Sequence, residues 1–242
     1  MELLDDLEDH YTAKTHKEER NALIKRLQKI SAAYSVRITI LGGDVHLAAL
    51  GRFCSATGLR VPVENDHRYI VNVISSGIAS EPPPRAIANL LVFQNRIHHL
   101  DPRTEETLLN VFNKDPGSSS RTAWYNNVTM PSRNFSMITE NSPNNSDVVP
   151  PAAADDGTVQ SRNRSKHPLL QRKDGQWLMR AGEVGAGTEH KAASRRHGQD
   201  NDGSLDICFC VEMSRQDREG RTESYGVTVP TLTYEEPRGP ER

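Results

Sequence analysis

The sequence predicts an α/β domain, with a long disordered insertion placed ahead of a C-terminal β-hairpin. Three observations carry that expectation. An amphipathic helical pattern runs straight into an apolar, β-branched segment that stops at two glycines. Residues 141–202 are then rich in Asn, Ser, Pro, Asp, Arg and Gly and poor in apolar side chains. A strictly alternating segment follows. The composition agrees: 35% hydrophobic residues and a mean hydropathy of -0.66 are low for one core spanning all 242 residues, so one domain plus a flexible part fits better.

Leu3, Leu4 and Leu7 form the pattern of a short first helix. Leu23, Leu27, Ile30 and Tyr34 recur at i, i+4, i+7 and i+11, with Lys25, Arg26 and Lys29 on the other side. This predicts an amphipathic helix over 17–34 that buries those four residues. Residues 36–41 read as a strand buried on both faces, because only Arg37 and Thr39 interrupt the apolar run. Gly42 and Gly43 end it in a sharp turn. A second strand is expected over 46–53 and a third over 69–74, closed by Ser75-Ser76-Gly77. Pro84 suits the first position of a helix whose buried face is Ile87, Leu90 and Leu91. His98-His99 then reads as a polar helix end, and Leu108, Leu109 and Phe112 as one or two further helical turns stopping near Asp115-Pro-Gly. Residues 134–139 alternate as a short strand.

In 141–202, Trp177-Leu-Met is the one apolar island. Such a segment cannot offset the cost of ordering its backbone, about 1–2 kcal/mol per residue. In SLDICFCVEM, Leu205, Ile207, Phe209, Val211 and Met213 take one face and Asp206, Cys208, Cys210 and Glu212 the other, a half-buried strand. Asp217-Arg-Glu-Gly-Arg is the turn and 225–229 the returning strand. The hairpin is expected to join the sheet formed upstream, where its apolar face can be buried.

A net charge of -2, from 30 basic and 32 acidic residues, gives no overall field for nucleic acid or an anionic membrane. Three cysteines, Cys54, Cys208 and Cys210, supply neither a CxxC motif nor a disulfide framework. The acidic start MELLDDLEDHYTAK is no signal peptide, and no apolar run reaches the roughly 20 residues of a membrane span. The expected location is the cytoplasm.

The chemistry centres on ITILGGDVH, where Asp44 and His46 follow the double glycine two positions apart. Carboxylate oxygen and imidazole nitrogen are donors for hard or borderline divalent metals. A catalytic metal needs at least three protein ligands, so the pair alone does not hold one. On spacing alone two readings stand: metal ligands, or an aspartate that turns the backbone and a histidine packed at a strand start.

ILGGDVHLAALGRF resembles the last metal-binding motif of the PhoD-like metallophosphoesterases. The helix segment ELLDDLEDHYTAKTHKEERNALIKRLQ resembles the one that precedes this motif in fungal members. HRYIVNVISSGIASEPPPRAIANLL, NRIHHLDPRTEETL and MPSRNFSMITENSPN are similar to the segments that come after it, and LDICFCVEM with YGVTVP resembles the closing hairpin. The resemblance implies an αββα sandwich and a site holding two divalent or trivalent metal ions, with Asp44 and His46 as ligands and His46 part of the catalytic set. It implies hydrolysis of a small-molecule phosphoester. Residues 1–140 then form the C-terminal part of the phosphatase domain, 141–202 the insertion, 203–234 the closing hairpin and 235–242 a tail.

In the family, Asp-x-His, Gly-Asp and Asn-His motifs come earlier; here Gly-Asp occurs once, at Gly43-Asp44, and Gly-Asn-His does not occur. Asp44-x-His46 read as the first motif fails, because nothing downstream supplies the other two. Met1 is therefore expected to begin inside the family pattern, leaving a partial metal site. Three functions stay open: a metal-dependent phosphatase or phosphodiesterase represented by its C-terminal portion, a non-catalytic interaction module descended from one, or an incomplete product. Other polar candidates read as structural: His10 and His16 as solvated, His67 as a loop residue, and Arg133 and Asn134 as loop residues within reach of a phosphate.

Overall fold

The computed structural model describes residues 13–43, 46–75, 77–94, 97–119, 126–145 and 185–234. Two sheets face each other. The six-stranded sheet runs in the order β1 (Ile38–Gly42), β3 (Ile70–Ser75), β2 (Ala48–Ser55), β5 (Thr104–Leu108), β4 (His98–Asp101), with the short β6 (Thr129–Met130) also paired to β2. Within it β1 and β3 are parallel and the other pairs antiparallel. The three-stranded sheet is β7 (Asn134–Glu140), β8 (Leu205–Glu212) and β9 (Thr222–Val229). Leu50, Val71 and Val73 of the first sheet meet Ile207, Phe209 and Tyr225 of the second in one core. Helix α1 (Lys17–Tyr34) covers the opposite face of the larger sheet through Ile24, Phe53 and Ile70, and α2 (Arg85–Gln94) follows Pro84 as expected. The short helix expected around Leu3 lies outside the described residues.

Helix α1 has the expected bounds and stops where Ser35 turns left-handed at φ 51 and donates its N–H back to Ser31. Its buried face is not the expected one. Ile24, Gln28 and Ser31 are buried, whereas Leu23, Ile30 and Tyr34 are exposed and Leu27 sits at the border. The helix is rotated by about a quarter turn relative to its apolar stripe. Polar contacts set the rotation: Arg20 pairs with Glu106 and lies over the Phe53 ring, and Gln28 accepts from Thr104.

Strand β1 is not buried on both faces. It is the terminal strand of its sheet, its residues are half-buried, and Leu41 is 71% exposed. The segment around Leu108 is a strand rather than helical turns, and His98-His99 is an exposed edge strand rather than a helix end. The sequence TEETL over 104–108 has no alternation to announce a strand, and Thr104, Glu105 and Thr107 are buried in it. The C-terminal hairpin does not extend the first sheet. It pairs with β7 and packs against that sheet face to face.

Strand β8 is buried on both sides, not half-buried. Its polar face is roofed by residues 185–202, which the composition assigns to disorder. Residues 146–184 of that insertion lie outside the described residues. The roof is held by polar contacts that apolar counting misses. Asp206, fully buried, accepts from Thr228 Oγ1 and the Gly198 N–H and pairs with Lys191. His197, also fully buried, lies between the Ala192 carbonyl and Thr139 Oγ1. Gly226 makes the approach possible: a Cβ there would lie 2.5 Å from the Ala193 nitrogen. Cys208 and Cys210 are free thiols beneath this roof, 3.9 Å apart.

The roof is acid-sensitive. His190 Nδ1 accepts the Ala192 N–H and so caps the Lys191–Ala193 turn. Burial pushes the imidazole down to about 4 in spite of nearby Asp206. The unfolded histidine titrates near 6.5 and takes up its proton first as pH falls. Its contribution is therefore whole above about pH 6.5 and is lost between there and about 4. Burial alone would raise Asp206, but its hydrogen bonds outweigh that and hold it below the ordinary carboxylate value, adding a second loss below about pH 4. Urea midpoints should fall from pH 7 to pH 4.5, and His190→Gln should flatten that fall.

Arg37 joins the two sheets at one end. Its guanidinium donates to five backbone carbonyls: Pro230 from Nε, Asp66 and Tyr69 from Nη1, Val63 and Thr231 from Nη2. These are all the donors arginine has. Arg37→Met should cost about 2–4 kcal/mol in urea unfolding. Arg37→Lys should recover less than half of that, since a point ammonium cannot serve five acceptors in a plane.

Candidate functional site

The parallel strands β1 and β3 end on the same side of the sheet, where α/β folds commonly place chemistry. The loop after β1 carries Gly42, Gly43 and His46; Asp44 lies outside the described residues. Gly42 lies in a close approach, where a Cβ would sit 3.0 Å from Asn72 Oδ1 and that side chain would have to give way. That oxygen is itself buried without a hydrogen-bond partner among the described residues. Gly43 faces open space.

His46 is one of three non-glycine residues with a left-handed backbone among the described residues, at φ 53. Such a conformation costs a side chain about 1 kcal/mol. The ring is anchored: Nδ1 lies 3.1 Å from the Glu81 carbonyl, in the loop after β3. A carbonyl only accepts, so Nδ1 carries a proton, and in the neutral ring the lone pair is on Nε2. Metal-binding imidazoles are oriented in the same way.

Around this loop the hairpin turn and the β6–β7 connection converge. Arg215 pairs with Glu81 at 3.2 Å, Ser75 donates to Asn134, and Arg133 pairs with Glu212. A cleft of about 300 Å³ lies among Pro84, Arg85, Ser132, Glu212 and Arg215. Arg133 and Asn134 thus have structural partners. His67 packs on Tyr234 at the other end of the sheet, with ring centroids 4.5 Å apart. Glu81 and Asn72 escape sequence reasoning: one acts through its backbone carbonyl, the other looks like any polar residue in a strand. The prolines after Glu81, which hold it extended, are the only signal for it.

Among the described residues no group of three or more His, Cys, Asp and Glu could hold a metal ion. His46 fits as one imidazole donor with a fixed tautomer, and a carboxylate two residues before it would be a second of suitable chemistry.

The profile of the PhoD related phosphatase family matches residues 1–174. The chain belongs to this family. An uncharacterized protein of Saccharomyces cerevisiae is 32% identical over 259 aligned positions, which cover 96% of this chain and 33% of the yeast protein. The chain therefore spans about a third of the length of the curated relative it matches. No solved structure matches. No helix among the described residues is long and apolar enough to cross a membrane.

The backbone strain at His46 yields a stability test. His46→Gly and His46→Ala both lose the ring and its bond to Glu81, but only glycine relieves the left-handed backbone. The glycine variant should be more stable than the alanine variant by about 1 kcal/mol in urea unfolding.

Proposed function

We propose that this chain contributes Asp44 and His46 as metal ligands to a metal-dependent phosphoester hydrolase, and that the remaining ligands come from other parts of the family domain. The observation that carries the reading is the His46 Nδ1–H donated to the Glu81 carbonyl, which leaves Nε2 as a fixed donor at the ends of two parallel strands. The family membership supports the reaction class. The two facing sheets with α1 outside one of them are consistent with part of an αββα sandwich.

Two divalent or trivalent ions, when bound, would supply an activated water and stabilise the charge of a phosphoester displacement. The chain's own part is to orient. Glu81 fixes the His46 tautomer, and Gly42 lets the loop pass close to Asn72. The Glu81–Arg215 pair ties the hairpin turn to the same loop, placing the cleft beside it. A small phosphoester is the substrate class this arrangement suits. A second reading, a non-catalytic interaction module, is favoured by the apolar stripe that α1 exposes.

Half a ligand set should not behave as half an enzyme. The chain alone should show negligible hydrolysis of a chromogenic phosphoester and bind metal weakly and below one equivalent. Joined to a family segment that carries the Asp-x-His, Gly-Asp and Asn-His motifs, it should hydrolyse the ester. There Asp44→Asn or His46→Ala should cut the rate at least about a hundredfold while the protein stays folded. Activity of the chain alone would refute the partial-site reading, and full activity of either variant would refute the ligand assignment.

A further inference from the structure

Helix α1 buries a largely polar face and leaves the adjacent apolar stripe exposed. Ile24, Gln28 and Ser31 are buried against the sheet, while Leu23, Ile30 and Tyr34 line a second stripe that meets solvent, Tyr34 at 74% exposure. The buried flank of α1 reaches β5 through Gln28 and Thr104. On the flank opposite the stripe, Lys25, Lys29 and Ala32 line a cleft with Asp101 and Arg103 at the β4–β5 turn. The stripe therefore lies on the flank above β1.

Strand β1 repeats the pattern. It is the terminal strand of its sheet and its one ladder partner among the described residues is the parallel strand β3. Leu41 stands in register with buried Val73, on the face that the second sheet covers further in, yet Leu41 is exposed. Val36, at the entry to β1, is exposed as well. Parallel strands are ordinarily covered on both faces, and contiguous exposed apolar side chains beside an open strand edge mark an interaction surface. Helix stripe, strand edge and Leu41 match the cross-section of one further strand–helix unit: a strand beside β1, a helix beside α1.

We propose that the β1 edge with Leu23, Ile30, Tyr34, Val36 and Leu41 is the docking surface for a strand–helix unit from the part of a PhoD related phosphatase that lies outside the matched third. The relative's length supports this occupant, since 67% of the yeast protein, the remainder after the 33% that this chain matches, is available to supply such a unit. The proposal rests on the family reading but not on catalysis. A strand there would end beside Gly43, so docking and completion of the ligand set would occur at one place.

The test is co-expression of this chain with the segments of the yeast relative that lie outside the match, read by size-exclusion chromatography with light scattering. The yeast protein's own matched third serves as the positive control. A one-to-one complex is expected. The double substitution Leu23→Glu with Ile30→Glu, and separately Leu41→Lys, should weaken it at least about tenfold while leaving the thermal unfolding of the isolated chain unchanged. Leu59→Glu, exposed in the Thr57–Leu59 turn away from this surface, should bind like wild type. His46→Ala should also bind like wild type, so a complex that forms but does not hydrolyse counts against the catalytic reading alone. No complex while the control forms one, a complex indifferent to the stripe substitutions, or self-association of the chain that those substitutions abolish would overturn the proposal.

Discussion

Arg37 is the constraint on which the arrangement of the two sheets depends. Five carbonyls from two stretches of chain, 63–69 and 230–231, converge on one guanidinium at the start of β1. Burial disfavours the charged form and lowers its pKa, while Tyr69, Asp66 and Glu64 oppose the shift. The Tyr69 ring lies 5.1 Å from the cation. The segment after β9 is thereby threaded past the start of β1, where Thr233 N–H reaches Glu64 and Ser35 Oγ reaches the Tyr234 carbonyl. With this end tied, Phe209 and Tyr225 close against Phe112 in edge-on ring contacts, and the opposite end of the parallel strands is left to carry the loops of the site.

That division of labour gives His46 its meaning. A left-handed backbone at a residue with a side chain persists only where its surroundings over-determine it. Here the Glu81 carbonyl holds the ring and the crossing over β3 holds the chain. Strain, a fixed tautomer and an orphaned Asn72 oxygen lie within a few residues of the double glycine. The proposed partial ligand set and the proposed docking edge meet at one place, because β1, terminal among the described strands, runs into the loop that carries His46.

Much of this was legible in the sequence, and the failures have physical causes. The bounds of α1, the strand after it, and the alternation of β8 follow from periodicity and were found. The buried face of α1 was misassigned because Leu23, Leu27, Ile30 and Tyr34 do form a stripe; the fold here buries the neighbouring face, which polar contacts of Arg20 and Gln28 select. Leu108, Leu109 and Phe112 suit helical turns by their spacing, whereas Leu108 ends a strand in register with Gly51 of β2. The roof over β8 was invisible because Lys191, His197 and Asp206 hold it, and buried ion pairs and hydrogen bonds leave no hydrophobic signature. Asp44 and His46 were legible as candidates from residue type, but the carbonyl that orients His46 has no letter in the sequence.

The claim that most needs a direct test is that His46 presents a free Nε2. Long-range nitrogen–proton NMR correlation on the ¹⁵N-histidine-labelled chain, assigned by comparison with His46→Ala, reads each ring's tautomer near neutral pH. The account predicts a protonated Nδ1 and an unprotonated Nε2 for His46, with Nε2 the nitrogen perturbed when a divalent cation is added. A ring protonated at Nε2 alone, or a cation that perturbs Nδ1 instead, would contradict it.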